Sequence, residues 1–107
     1  MINAQFKKGV LEICVLALLA RKDYYGYELV ETISETVEMS EGTIYPLLKR
    51  LKDEGYVSTY LMESGSGAPR KYYKLSPSGE IFRKEITLEW EKFSSNINKM
   101  LTSKKDD

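Results

Sequence analysis

The sequence predicts a mostly α-helical fold with a small β-hairpin: a winged helix-turn-helix followed by a long C-terminal dimerisation helix. Three observations support this prediction. Two amphipathic helices are separated by a few residues near position 40, a glycine-containing hairpin with cations on its returning strand follows, and an apolar pattern at steps of three and four extends to about position 101. That order of elements is typical of a winged helix. We divide the chain into a winged helix-turn-helix domain, 1–75, and a C-terminal helix and tail, 76–107.

Composition limits the classes of function. The chain has 107 residues, 42% of them hydrophobic and 30% charged, as in a globular domain. Its 16 basic and 16 acidic residues cancel, so any support for nucleic-acid binding has to come from local charge. The chain has no histidine and one cysteine, Cys14, which argues against zinc sites, a Ser-His-Asp triad and internal disulfides. We expect a cytoplasmic protein that is not an enzyme and uses no cofactor or metal.

The first apolar segment covers residues 5–20 and predicts a helix that is buried on more than one side. The alternative is a secretory signal, because Lys7 and Lys8 precede the apolar run and Ala20 follows it. Glu12 interrupts that run, and the segment is too short to span a bilayer. We therefore predict a core helix whose surplus apolar surface is covered by a second subunit, without membrane association.

A second helix is predicted from about Tyr25 to Thr36, after a polar connection over residues 21–24. Gly26 near its start indicates a close approach of the backbone or a helix entry. Its predicted core residues are Leu29, Val30 and Ile33. Its predicted acidic ridge consists of Glu28, Glu31, Glu35 and Glu38. Carboxylates repel phosphate, so the ridge should point away from any DNA.

The third helix should begin near Glu41 and end at Gly55. Ser40 is a suitable N-cap whose hydroxyl can accept a hydrogen bond from an amide one turn on, and glycine suits the left-handed C-terminal position. The apolar stripe consists of Ile44, Leu47, Leu48 and Leu51. The remaining faces carry Thr43, Tyr45, Lys49, Arg50 and Lys52. These side chains suit a DNA major groove and its phosphates, although an ordinary solvated helix would show the same pattern.

A β-hairpin is predicted from strands 56–63 and 70–75, joined by a loop with two glycines. This hairpin segment holds Arg70, Lys71 and Lys74 against Glu63 alone, which gives a local charge of plus two. A hairpin of this charge that follows a helix-turn-helix suits the sugar-phosphate backbone of double-stranded DNA.

The last helix is expected to start after Ser76, its N-cap, with Pro77 in the first turn, and to reach Met100 or Leu101. Its apolar seam follows steps of four and three and consists of Phe82, Ile86, Trp90, Phe93, Ile97 and Met100 or Leu101. A seam on so long a helix needs a partner, which predicts a homodimer. Trp90 has two interpretations: a core anchor sealed between helices, or an exposed indole that faces its symmetry mate.

The chain resembles the PadR family of transcriptional regulators, and in particular its small LmrR-like subfamily. The resemblance rests on YGYEL at 25–29, SEGTIYPLL at 40–48 and PRKYY at 69–73, with Arg50-Leu51, Glu54-Gly55, Leu75-Ser76 and Gly79. It implies a homodimeric winged-helix repressor. The DNA-binding residues that it implies are Ser40, Thr43, Tyr45 and Lys49 on the recognition helix, Tyr25 and Tyr27 in support, and Arg70 and Lys71 at the wing.

The same resemblance implies an apolar pore between subunits that binds a planar aromatic effector. The implied effector-binding residues are Glu12, Ile13, Trp90, Ser94 and Ile97. Ser94 departs from the multidrug-sensing member of the LmrR-like subfamily, which has an acidic residue at this position that can favour cationic compounds. Effector binding would release the operator by changing the spacing of the two recognition helices. The alternative function is a winged-helix dimer that acts as a protein-interaction module without DNA readout.

Overall fold

The computed structural model describes residues 4–102, with side chains from residue 9 onward. The helices are α1 (Ala4–Leu19), α2 (Gly26–Ser34), α3 (Glu41–Asp53) and α4 (Pro77–Thr102), and the strands are β1 (Tyr24–Tyr25), β2 (Val57–Met62) and β3 (Arg70–Leu75). The predicted fold class is confirmed: α2 and α3 form the helix-turn-helix, β2 and β3 form the wing, and α4 is the long C-terminal helix. The predicted tail after residue 102 and the side chains of Lys7 and Lys8 lie outside the described residues.

The sheet has three antiparallel strands in the order β1-β3-β2. Tyr24 pairs with Tyr73 in β3, and Thr59 in β2 pairs with Tyr73 from the other side. The sequence analysis missed β1, which it treated as part of a polar connection. A strand of two residues is too short to show an alternating pattern, and it forms because the free edge of β3 supplies its hydrogen bonds.

The second helix is shorter than predicted. It ends at Ser34, and Glu35 is its C-cap. Glu38 therefore lies beyond the helix, and the predicted acidic ridge of four residues is wrong in extent. Glu28 in the first turn pairs with Lys22 at 2.8 Å, which removes part of the ridge's charge.

The core is formed where α1, α2, α3 and the inner face of the sheet meet. The helices supply leucine, isoleucine and valine at three- and four-residue steps, and the sheet supplies one residue from each strand. These core residues are Leu11, Val15, Leu16, Leu19, Tyr24, Leu29, Val30, Ile33, Ile44, Leu47, Leu48, Leu51, Val57 and Tyr73. The predicted apolar faces of the second and third helices are confirmed, because all of their core residues are buried.

Helix α3 begins and ends where the sequence predicts. Gly55 adopts a φ of 84°, its amide donates to the Lys52 carbonyl at 3.0 Å, and the Tyr56 amide donates to the Leu51 carbonyl at 2.9 Å. These two bonds form a Schellman motif. The N-terminal cap differs from the prediction, because the Ser40 side chain makes no capping hydrogen bond. Its hydroxyl instead lies 3.4 Å from the Thr43 hydroxyl, and the Ser40 carbonyl accepts from the Thr43 amide at 3.1 Å.

Helix α4 is fixed to the end of α3 by its capping residue. The Ser76 hydroxyl accepts a hydrogen bond from the Gly79 amide at 3.0 Å and donates one to the Gly55 carbonyl at 2.6 Å. Phe82 then stacks on Tyr56 with ring centroids 4.3 Å apart. The later turns leave large apolar side chains exposed, including Leu88, Trp90, Phe93, Met100 and Leu101. Within residues 4–102, no helix combines the length and apolar character that a bilayer span requires.

Candidate nucleic-acid interface

A shallow cleft of about 340 Å³ lies where the first turn of α2, the middle of α3 and strand β3 meet. Its lining residues are Tyr25, Gly26, Tyr27, Tyr45, Lys71 and Tyr73. The fold thus brings together four of the eight predicted DNA-binding residues, although they come from three separate segments. The cleft offers phenol groups and one ammonium group, which are hydrogen-bond donors suited to phosphate and base edges.

Gly26 leaves room for the Tyr45 ring. A Cβ atom at position 26 would lie 2.7 Å from Cε1 of Tyr45, which is closer than real Cβ contacts. The close approach predicted at this glycine is therefore confirmed, and the phenol packs directly against the start of α2. Burial raises the pKa of Tyr45, and the nearby Glu41 carboxylate adds to the effect. The hydroxyl remains a neutral donor and acceptor at the helix surface.

Tyr25 supports the wing. The guanidinium of Arg70 lies 4.6 Å from the centre of the Tyr25 ring, within the range of a cation–π contact. Ser40 and Thr43 lie apart from the cleft, on the first turn of α3, with their hydroxyls 3.4 Å from each other.

The cations of the helix and of the wing differ in their pairing. Lys49 pairs with Asp53 at 2.9 Å, one turn along α3. Within the described part of the chain, Arg70 and Lys71 form no ion pair with a carboxylate. An exposed pair of this kind is worth about 0.3–0.5 kcal/mol, which Lys49 would have to give up to bind phosphate. The wing cations are available to phosphate without that cost.

Arg50 connects the recognition helix to α1, a role that the sequence analysis missed. Its guanidinium lies 3.0 Å from the Glu54 carboxylate and 3.4 Å from that of Glu12. The Glu54 pair was readable from the spacing of four residues along one helix. The Glu12 pair depends on how α1 packs against α3, so no local pattern could have indicated it.

A second concavity, of about 370 Å³, lies between α1 and α4, and we call it the α1/α4 groove. Its lining residues are Gly9, Glu12, Ile13, Ile86, Glu89, Trp90 and Phe93. Three predicted effector residues, Glu12, Ile13 and Trp90, therefore lie together. Ser94 and Ile97 are not among the lining residues of this groove in the single chain, and the Ser94 hydroxyl donates to the Glu91 carbonyl at 3.3 Å.

The cysteine is a packing residue. Cys14 is half-buried against the core, and desolvation raises the pKa of its thiol, which disfavours the reactive thiolate. Among residues 4–102, no group of three or more cysteine, aspartate and glutamate side chains is arranged to hold a metal ion.

Comparison with known proteins places these features in a family. Residues 15–85 match the transcriptional regulator PadR-like family. An uncharacterised protein of Lysinibacillus sphaericus is 30% identical over 94 residues, which cover 84% of this chain and 86% of that protein. The negative transcriptional regulator PadR of Bacillus subtilis is 31% identical over 75 residues, which cover 66% of this chain and 41% of that protein.

Solved structures agree over almost the whole chain. A PadR-like transcriptional regulator of Bacillus cereus superposes with a TM-score of 0.85 at 35% identity, covering 94% of this chain and 100% of that one. A Streptococcus transcriptional regulator superposes with a TM-score of 0.83 at 36% identity, with the same coverage. The family resemblance found in the sequence is confirmed. The chain belongs to the PadR-like family of transcriptional regulators.

Proposed function

We propose that this regulator is a homodimeric repressor that binds double-stranded DNA through α3 and the wing and leaves it when a planar aromatic effector enters the α1/α4 groove. The observation that carries the DNA part is the convergence of Tyr27, Tyr45 and Lys71, from three elements, on one exposed cleft. The printed name of the Bacillus subtilis relative, a negative regulator, supports repression.

In this proposal the eight predicted residues divide by chemistry. Ser40, Thr43 and Tyr45 carry neutral hydroxyls on the exposed side of α3, which suits them to base edges in the major groove. The cations Lys49, Arg70 and Lys71 contact phosphates. Tyr25 at the end of β1 and Tyr27 at the start of α2 support the two groups, with the Tyr25 ring against the Arg70 guanidinium.

Salt dependence tests the DNA part. Replacing Arg70 or Lys71 by alanine should weaken duplex binding and reduce the slope of log affinity against log salt by about one. Lys49→Ala should cost less, because Lys49 first has to leave Asp53. Fluorescence anisotropy at several salt concentrations measures both quantities.

Lys92→Ala is the matched control, because Lys92 is exposed on α4. It should leave affinity and slope unchanged. If all three test variants also bind like the wild type, the assignment of the interface is wrong. If the wild type has no salt-dependent affinity for duplex DNA, the protein-interaction module becomes the better proposal.

The homodimer is supported by apolar surface that one chain leaves uncovered. Phe93 is 60% exposed, and Met100 and Leu101 are each about 75% exposed. Water contact with these side chains is unfavourable by about 25 cal/mol per Å² of apolar area. A second copy of α4, packed along the same seam, would cover them.

The effector part rests on one residue of α1, Glu12, that contacts both the groove and the recognition helix α3. Glu12 lines the α1/α4 groove and also pairs with Arg50 of α3 at 3.4 Å. A ligand that contacts Glu12 would therefore act on a contact of α3. The groove also presents Trp90 and Phe93, whose ring centroids are 6.4 Å apart, as apolar walls for a flat ligand. This arrangement supports membership of the LmrR-like subfamily.

Fluorescence tests the effector part, because Trp90 is the only tryptophan. Planar aromatic compounds should quench it saturably at concentrations of up to about 1 mM. Trp90→Ala should lose ligand affinity, measured by calorimetry, while keeping the dimer and DNA binding. If that variant unfolds or dissociates and no planar compound quenches the wild type, Trp90 is a structural anchor.

A further inference from the structure

A row of tyrosines crosses the sheet on the face opposite the core. Tyr25, Tyr72 and Tyr60 are register partners on β1, β3 and β2, so their side chains lie side by side. The Tyr60 and Tyr72 rings stack with centroids 5.5 Å apart and planes 11° from parallel. Tyr72 meets Tyr25 edge to face at 5.6 Å. We call these three residues the tyrosine row.

A charged residue lies at each end of the tyrosine row. The Tyr60 hydroxyl donates a hydrogen bond of 2.6 Å to the carboxylate of Asp23, which immediately precedes β1. This bond joins edge strand β2 to the residue just before edge strand β1, across the central strand. At the other end, the Arg70 guanidinium lies 4.6 Å from the centre of the Tyr25 ring. Contacts therefore run without interruption from Asp23 to Arg70.

We propose that Asp23 and the tyrosine row are positioning residues that fix the angle of the wing and the direction of Arg70, so that Arg70 meets a DNA phosphate in a preset orientation. The inference rests on the proposed function, in which Arg70 contacts the DNA backbone. It assigns a role to Asp23, Tyr60 and Tyr72, which the interface had not included.

The physical reason is pre-organisation. A free arginine loses rotamer freedom when it binds phosphate, whereas one already held over an aromatic ring loses less. Arg70 pairs with Met62 at the end of the hairpin next to its loop. The two strands would otherwise be free to twist at this end. Bonding β2 to the segment before β1 restricts that twist. Within the described residues Arg70 has no carboxylate partner, so the ring contact leaves its charge available to phosphate.

Tyr60→Phe is the discriminating variant, because it removes the bond to Asp23 and keeps the ring. The probe is a fluorescein-labelled mixed-sequence duplex of about 30 base pairs at low salt, which reports phosphate contacts. Losing one hydrogen bond should weaken binding by about 3- to 10-fold. In an Arg70→Ala background the same change should cost less than about 2-fold, because the residue being positioned is gone.

Matched controls separate positioning from general stability. Tyr56→Phe removes a hydroxyl that has no hydrogen-bond partner in the described part of the chain, and its ring keeps the stack on Phe82. It should bind within about 2-fold of the wild type. Asp23→Asn retains an acceptor for Tyr60 and should lose less affinity than Asp23→Ala.

A second readout does not depend on DNA. The ring current of Tyr25 should displace the Arg70 Nε–H resonance in the NMR spectrum of the wild-type dimer. Tyr60→Phe should move it towards the value of a free arginine, and Tyr56→Phe should not.

The inference is overturned if Tyr60→Phe costs the same factor with and without Arg70, or if the Arg70 resonance does not move. Either result would leave the tyrosine row as a stabiliser of the sheet. A wild-type protein without affinity for the duplex would defeat the proposed function itself, and the inference with it.

Discussion

At position 26 the backbone has room for a hydrogen atom and nothing larger, because the Tyr45 ring packs against it. Gly26→Ala should push the phenol out of the cleft. The contacting atoms belong to the end of a movable side chain, so we expect a small loss of stability, about 1 kcal/mol or less, together with a loss in duplex affinity of about 3- to 10-fold. Denaturation and anisotropy titrations measure the two effects.

Gly9→Ala provides the comparison for that prediction. A Cβ at position 9 would meet nothing within 4 Å, and the residue lies inside α1. Replacing glycine by alanine in a helix should raise the free energy of unfolding by about 0.5–1 kcal/mol and leave DNA binding unchanged. Equal losses of DNA affinity in the two variants would show that the Tyr45 contact is not the cause.

The hydroxyl of Tyr60 should titrate unusually late. Its hydrogen bond to the Asp23 carboxylate, followed by burial, raises the pKa of Tyr60 to about 12. Because the folded value exceeds the unfolded value of about 10, the bond contributes fully below pH 10 and is lost as pH rises towards 12. Ultraviolet titration of the wild type and Asp23→Ala checks this, and the late-titrating component should shrink by the signal of one tyrosine in the variant, because burial also raises the pKa of Tyr45 and Tyr73. An unchanged titration would contradict the bond.

At the scale of elements, Ser76 combines two roles at the junction between α3 and α4. Ser76 caps α4 and also donates to the Gly55 carbonyl at the end of α3. Ser76→Ala should lower the free energy of unfolding by about 1–2 kcal/mol. Ser78→Ala is the control, because Ser78 donates to the same carbonyl at 2.9 Å and touches the Ser76 hydroxyl at 3.1 Å, whereas the Gly79 amide donates to Ser76. Urea denaturation at fixed protein concentration should give a clearly larger loss for Ser76; equal losses would mean that the cap contributes nothing.

At the scale of the whole molecule, the uncovered seam of α4 predicts the assembly. Phe93→Glu should raise the dimer dissociation constant by about 100-fold or more, because the dimer covers two copies of this phenylalanine, each worth about 1.5–3 kcal/mol. Leu61→Glu is matched in exposure, at 68% against 60% for Phe93, but lies on the wing. Sedimentation should show dissociation only for the α4 variant. Dissociation by Leu61→Glu alone would place the interface on the wing.

The sequence by itself determined most of the helical architecture. The stripe of α3, its end at Gly55 and the start of α4 after Ser76 could all be read from residues within one or two turns of each other. A helix repeats every 3.6 residues and its caps are local, so the relevant contacts are already present in the order of the residues. Two local features were wrong: the Ser40 side-chain cap and the C-terminal end of α2.

The tertiary structure decided which distant side chains meet. The bond between Tyr60 and Asp23 joins residues 37 positions apart, and Arg50 of α3 pairs with Glu12 of α1. Strand β1 exists only because β3 is beside it. These contacts depend on how the packed elements are oriented, which no spacing along the chain specifies. In the sheet, a shift of one residue in register would turn each strand's side chains to the other face.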